Sequence, residues 1–334
     1  MVVAFVGLGG VAFAACVGDE PQVQTQADAG GGTDATTGAD APADTATAQD
    51  TSPPPVDAAD AGDAAVARCD PKKPFATPVL VGALNSLGSN DYEARLSPDE
   101  LVVYFGSDRG GTDGLYQAAR TSTSMPFGAP TPLTIQGAGT GIASPTVSGD
   151  ELTLVFYQKS GVTPSILELA TRSSTLAPFG NVATITNVTS LTQDVSAPYL
   201  LPNTSALYYS IGGKIQVSAN VGGTFQKGTD VVGVASPKSD TYPAVTPDEL
   251  SIYWASDRVQ PANAGGFDVF VSHRATKADG FSGATNVTEL NTTDNDRPSW
   301  ISPNECVMYL SSERPTTGDA GTGEQHIWFA KRPL

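Results

Sequence analysis

Apolar and polar positions alternate in short runs along residues 75–334, and the runs come in sets that recur about every fifty residues. The set is fullest at 242–274, where an apolar stretch ends in Ala244-Val245-Thr246-Pro247-Asp248-Glu249 and the alternating run Leu250-Ser251-Ile252-Tyr253-Trp254-Ala255 follows. Period-two alternation rich in aromatic and β-branched residues predicts a strand with one buried face. The Thr-Pro-Asp before it predicts a turn, because Pro fixes φ at the first corner and Asp bonds the backbone two residues on. Ser256-Asp257-Arg258 then opens a Gly-containing loop, and Asp268-Val269-Phe270-Val271-Ser272 begins another strand. Two adjacent antiparallel hairpins are thus predicted within about thirty residues.

The set occurs five times. Leu96-Ser97-Pro98-Asp99-Glu100 leads into Val102-Val103-Tyr104-Phe105 and the corner Ser107-Asp108-Arg109-Gly110-Gly111. Ile301-Ser302-Pro303-Asn304-Glu305 leads into Val307-Met308-Tyr309-Leu310 and Ser312-Glu313-Arg314. The second copy, Val147-Ser148-Gly149-Asp150-Glu151, has Gln158-Lys159-Ser160 at the corner, and the third, Leu201-Pro202-Asn203, has only Ile211-Gly212-Gly213. Phe75, Phe127, Phe179, Phe225 and Phe281 mark the period with spacings of 52, 52, 46 and 56, and 53 residues remain after the last. Residues 78–84 are a strand with no complete unit before it, while the last unit ends after its third strand. The N-terminal strand is therefore expected to complete the last blade and leave no open sheet edge. The expected fold is all-β, a five-bladed propeller of four-stranded antiparallel blades over 69–334, preceded by a signal segment and a disordered linker.

Ser-Pro-Asp-Glu, an aromatic strand, Ser-Asp-Arg, a Gly-rich loop and Asp-Val-Phe-Val together resemble the WD40-like PD40 repeat of TolB-like propellers, across 75–334. Glu100 and Glu249 stand where that repeat usually has Gly, and there are five units where TolB has six blades. Kelch repeats have a similar period, but their diglycine ends the second strand, whereas Gly110-Gly111 and Gly265-Gly266 lie inside the loop here. WD40 repeats fail on period and on the absence of a Trp-Asp dipeptide.

Residues 1–15, MVVAFVGLGGVAFAA, are apolar and run directly into Cys16. A helix crossing a bilayer needs about 20 residues, so the stretch reads as a secretory signal. Ala14-Ala15-Cys16 resembles the lipobox of bacterial lipoproteins, with Phe13 where Leu is usual and no basic residue before the apolar run. That resemblance implies lipidation at Cys16 and a lipid-anchored address in the cell envelope, at the outer membrane on its periplasmic or surface side. Residues 17–67 contain no aromatic residue, Lys or Arg. Such a composition buries too little apolar surface to offset its ordering entropy, so 17–68 is expected to be a disordered tether with an r.m.s. reach of roughly 40 Å. The whole chain has 35 acidic against 18 basic residues, a net charge of −17. This excludes a basic nucleic-acid surface and leaves membrane contact to the lipid alone.

In a propeller the loops entering the first strand of each blade share one face with the loops joining the second strand to the third. The first set carries Asp91, Glu93, Arg95, Asp194, Asp240, Asp294, Asp296 and Arg297, and the second Asp108, Arg109, Asp257, Arg258, Glu313 and Arg314. A funnel of both signs suits a polar ligand, a peptide terminus or a cation, while the structural alternative is that these groups satisfy loop backbone and pair with each other. The expected role is a non-catalytic, monomeric binding module for another envelope protein or a glycan. The alternative is a glycoside hydrolase using carboxylates at the channel mouth. His273 and His326 fall in or beside third strands, no His/Cys cluster suggests zinc, and no cofactor is expected. With Cys16 assigned to lipid, Cys69 and Cys306 remain, expected either as a bridge where the ring closes, stabilising by roughly 4 to 5 kcal/mol, or as two buried thiols.

Overall fold

The computed structural model describes residues 69–334 apart from 160–163, 259–265 and 317–322. Cys16, the signal segment, the linker 17–68, Ser160 and Gly265 lie outside the described residues. The strands form five antiparallel sheets in chain order. The first blade holds Asp91–Leu96, Val102–Ser107, Gly114–Ala119 and Thr131–Pro132. The second holds Ile142–Val147, Thr153–Gln158, Ile166–Thr171 and Gly180–Thr184. In the third, Val195–Leu200, Ala206–Ile211 and Lys214–Val221 are completed by two short strands, Thr224–Phe225 and Thr229–Asp230, which both pair with the third strand. The fourth holds Asp240–Val245, Ser251–Ser256, Asp268–His273 and Ser282–Asn286.

The fifth blade closes the ring. Asp296–Ile301, Val307–Ser312 and His326–Lys331 are finished by Val79–Leu80 from the start of the domain, with Val79 opposite Phe329 and Leu80 opposite Trp328. The closing strand is two residues long, shorter than the expected 78–84, because the chain turns away after Val81 and Leu84 N–H donates back to the Val81 carbonyl. Cys69 and Cys306 form a disulfide beside this junction, with Cα atoms 5.6 Å apart. The first strands of successive blades touch one another in a closed circle, fifth to first included. They are almost wholly buried, whereas the fourth strands are mostly exposed. The apolar core accordingly lies between blades, with one cluster joining the fifth blade to the first, one the first to the second, one the second to the third, and one spanning the third to the fifth.

Two recurrent devices order this core. In the turn between first and second strands Ser97 donates to Asp99 Oδ1, which also accepts from Leu101 N–H; Ser148/Asp150 and Thr246/Asp248 repeat it. The next residue is left-handed in every blade: Glu100, Glu151, Thr204, Glu249 and Glu305 have φ of 61°, 58°, 58°, 59° and 58°. Glycine avoids the steric penalty of this conformation, but glycine has no side chain, and here the side chain is used. Tyr104, Tyr208 and Tyr253 donate across the blade boundary to Glu151, Glu249 and Glu305 at 2.6, 2.8 and 2.6 Å. Arg172 and Arg332 donate to the hydroxyls of Tyr104 and Tyr253, both at 3.0 Å. Between the fifth blade and the first, Arg120 links Tyr309 and Glu100. The boundary between second and third blades lacks this latch, with Val155, Thr204 and Asn220 in place of Tyr, Glu and Arg.

The same arginines explain the phenylalanine period. Arg120, Arg172, Arg274 and Arg332 lie over the rings of Phe127, Phe179, Phe281 and Phe75 at 4.4, 4.3, 4.5 and 4.0 Å, close enough for cation–π attraction. The third blade keeps Phe225 but pairs it with Asn220. Its corner is a two-residue hairpin, Gly212-Gly213, with φ of 56° and 75°, the positive values that a tight hairpin turn of matching twist requires.

The bridge joins residues 237 apart. Chain-entropy arguments for so long a loop give about 4 to 5 kcal/mol, so the Cys69→Ser, Cys306→Ser double variant is expected to unfold at a correspondingly lower urea concentration than the oxidised protein. An unchanged midpoint would show that the closing strand holds without it.

Candidate functional site

Most of the charged residues on the loop face are engaged in hydrogen bonds and ion pairs within the fold. Arg109 donates through Nη2 to Asp91 Oδ1 and the Leu84 carbonyl, both at 2.5 Å, and through Nε to Ser107 Oγ at 2.9 Å. Arg258 holds Asp240, Val234 O and Ser256 at 2.5, 2.8 and 2.9 Å. Arg314 holds Asp296, Leu290 O and Ser312 at 2.6, 2.6 and 2.8 Å. Each aspartate also accepts a backbone N–H, from Ser86, Ser236 or Thr292, at 2.6 Å. All three carboxylates are 0% exposed, so these are clasps locking each blade's entry loop to its second strand. Asp296 therefore differs from the exposed loop charge expected of it. Burial raises the Asp240 carboxyl, but the hydrogen bonds from Arg258, Ser256 and Ser236 outweigh it and hold the group below its ordinary range. The second and third blades begin with Ile142 and Val195 in place of the aspartate, so both halves of the clasp are missing together.

The middle residue of each corner serves the same loop. Asp108 accepts from Asn90 N–H and Nδ2, Asp257 from Ser239 N–H, and Glu313 from Asn295 Nδ2 and Arg297. Asp294 is half-buried, and its N–H donates to Thr292. Arg95 is buried in the channel, donating to the Pro198 carbonyl of the third blade at 3.2 Å and lying 4.6 Å over the Tyr199 ring.

A different group of residues surrounds the channel mouth. Each first strand carries a β-bulge against its second strand, and bulges re-aim side chains. At the bulge Glu93, Ser144, Ala197 and Tyr242 have φ of 54°, 54°, 47° and 53°, while Pro298 holds that place in the fifth blade. Glu93, Ser144 and Tyr242 line a cavity of about 420 Å³ together with Tyr92, Asp113, Tyr157, Ser165, Asp194, Asn90 and Gln325. Tyr92 donates to Asp113 at 2.6 Å and packs over Gly106, where a Cβ would lie 2.4 Å from the ring. Asp194, exposed, accepts from Ser165 N–H and Oγ at 2.7 and 2.8 Å. Of the charged residues expected on this face, the cavity takes Glu93 and Asp194. Asp113 and the three tyrosines were not foreseen, although a proline follows the bulge residue in the second, third and fourth blades, at Pro145, Pro198 and Pro243.

Glu93 dominates the electrostatics. It is 6% exposed, its Oε2 has no hydrogen-bond partner among the described residues, and its backbone N–H donates to Ser311 Oγ at 2.7 Å. Burial holds its carboxyl above the ordinary range, opposed by the Ser144 hydroxyl, Arg95 and Arg297. Asp194 goes the other way, lowered by the Ser165 backbone and hydroxyl donors. Burial, with Glu93 nearby, pushes Tyr242 up to about 12.

Neither histidine joins the mouth. Ser251 Oγ donates to Glu305 Oε1 at 2.7 Å and lies 2.9 Å from His273 Nδ1. A hydroxyl has one proton, so Nδ1 is the donor in that contact and Ser251 is not poised as a nucleophile. His326 is buried at the start of a third strand. Among the described residues no group of three or more His, Cys, Asp or Glu is placed to hold a metal ion.

No protein-family model matches the chain, and no curated protein sequence matches it. Among solved structures it is similar to TolB from Acinetobacter baumannii, with 14% identity over 75% of this chain and 56% of that one and a TM-score of 0.45. The chain thus spans just over half the length of that TolB. It is also similar to a thermostable family-43 glycoside hydrolase, with 13% identity over 72% of this chain and 88% of the other and a TM-score of 0.47. A third likeness is to an α-L-arabinofuranosidase from Podospora anserina in complex with cellotriose, with 9% identity over 79% and 98% of the two chains and a TM-score of 0.50. At such identities what is shared is the fold, a β-propeller.

Because the folded environment favours the protonated form of Glu93, this residue adds stability below the ordinary carboxylate pKa and loses it as pH rises through its elevated folded value. Glu93→Gln, neutral at every pH, is expected to raise the urea midpoint at pH 7 and to leave it nearly unchanged at pH 3.5. Equal effects at both pH values would show that Glu93 carries no buried charge at neutrality.

Proposed function

We propose that the chain is a non-catalytic binding module of the cell envelope that presents its channel mouth to another envelope protein or a glycan, and that a lipid on Cys16 anchors it through the linker 17–68. Glu93 carries the reading. A buried carboxylate in a left-handed bulge, lining a cavity and with one buried oxygen unpartnered among the described residues, costs the empty fold stability, and a ligand offsets that cost. No helix of the described residues is long and apolar enough to cross a membrane; the reading of an anchor rests on the lipobox-like Ala14-Ala15-Cys16. The net charge of −17 speaks against nucleic acid.

One observation favours a second reading as a glycoside hydrolase. Glu93 is raised and Asp194 lowered across the same cavity, and a protonated and an ionised carboxyl facing one substrate are the acid–base arrangement of glycoside hydrolysis.

Capture from envelope extract with the full-length protein separates the two. The wild type is expected to retain a partner that both Glu93→Gln and Asp194→Asn release, with no turnover of a glycoside panel. Identical partners from all three would remove the mouth as the binding site, and turnover lost in either variant would establish the hydrolase. For the anchor, palmitate labelling is expected in cells making the wild type and not in those making Cys16→Ala; equal labelling of both would end the lipid assignment.

A further inference from the structure

The mouth has one sign of charge in its lining. Glu93, Asp113 and Asp194 line the cavity with Tyr92, Tyr157 and Tyr242, and no Lys or Arg does so. The cations that act on these carboxylates are set outside the lining. Arg95 is directed at Pro198 O and the Tyr199 ring, and Arg297 is paired with Glu313 at 3.0 Å and lies 5.4 Å over the Tyr242 ring. Lys159 acts on Asp194 from a distance.

Three ligand chemistries can be weighed against this arrangement. An anion meets three carboxylates and no lining cation. A neutral sugar finds hydroxyl and carboxylate acceptors but adds no counter-charge to what Arg95 and Arg297 give the buried Glu93. An ammonium group suits this lining, bringing the Glu93 carboxyl a donor and a further counter-charge while its carbon substituents meet tyrosine side chains, which attract organic cations. A cavity of about 420 Å³ accommodates one side-chain-sized group and no extended chain.

We propose that the channel mouth binds an organic ammonium ion, either a lysine side chain of a partner protein or a free alkylamine, with Glu93 as its counter-ion and Tyr92, Tyr157 and Tyr242 around it. This rests on the reading of the mouth as a binding site. It differs from a metal site in asking for one carboxylate contact and aromatic surface rather than several oxygen ligands.

The test is calorimetric titration of the full-length protein, at matched ionic strength, with butylammonium chloride, an acetylated Gly-Lys-Gly amide, its Gly-Gly-Gly counterpart, sodium acetate and glucose. Butylammonium and the lysine peptide are expected to saturate and to compete with each other, while the other three do not. The tighter of the two identifies the source, protein-borne or free. Glu93→Gln is expected to weaken both by about tenfold or more, and Asp194→Asn, an exposed position that leaves packing untouched, by a few-fold. Circular dichroism verifies that each variant is folded. Absence of saturation by either ammonium compound, or saturation unaffected by both substitutions, overturns the proposal. Should glucose saturate instead and lose binding in Glu93→Gln, the mouth stands as a binding site and the cation assignment alone falls.

Discussion

A four-stranded blade is apolar on both faces, so none of the five can be stable without both neighbours, and the whole structure rests on the circle being complete. Every apolar cluster bridges a blade boundary, and the fifth blade exists as a sheet of four only because Val79–Leu80 returns to it. The Tyr–Glu–Arg latches turn this dependence into directed contacts at four boundaries. They also account for a backbone conformation that otherwise looks unfavourable. A glutamate at φ near 60° gives up local comfort, and at Glu151 and Glu249 the carboxylate gains a tyrosine donor from the preceding blade and an arginine from its own.

The two weakest units illustrate how such devices are lost as wholes. Where Tyr gives way to Val155, its partners become Thr204 and Asn220, and the second and third blades meet through apolar side chains such as Val155, Leu207 and Tyr209. Where the clasp aspartate becomes Ile142 or Val195, the corner arginine is absent as well. Removing one member alone would leave a buried charge or donor unpaired, which is far more destabilising than removing the set.

Much of the fold was legible because its determinants are local and periodic. The Ser-Pro-Asp turns, the alternating strands and the phenylalanines at steps near fifty each encode a contact within one blade, and ring closure followed from a strand with no unit of its own. The bridge between Cys69 and Cys306 was readable as one of two outcomes. The site was far less so. Asp91, Asp240 and Asp296 are indistinguishable in sequence from surface loop charges, because burial by Arg109, Arg258 and Arg314 is decided by partners about eighteen residues away. Tyr92, Asp113, Tyr157 and Tyr242 come from three different blades and converge only after bulges rotate the first strands. Charge counting on the loop face therefore found the clasps together with Glu93 and Asp194, whereas Asp113 and the tyrosines of the cavity were passed over.

The disulfide beside the closing strand also settles how the domain meets a mechanical load. A two-residue outer strand is the part of a sheet most easily peeled, one hydrogen-bonded pair at a time, by a pull on the chain that precedes it. Here tension arriving from the N-terminal side meets Cys69 first and passes through a covalent bond to Cys306, next to the second strand of the fifth blade. That strand is flanked by its neighbours on both sides, so two ladders share the force and the outer strand is spared.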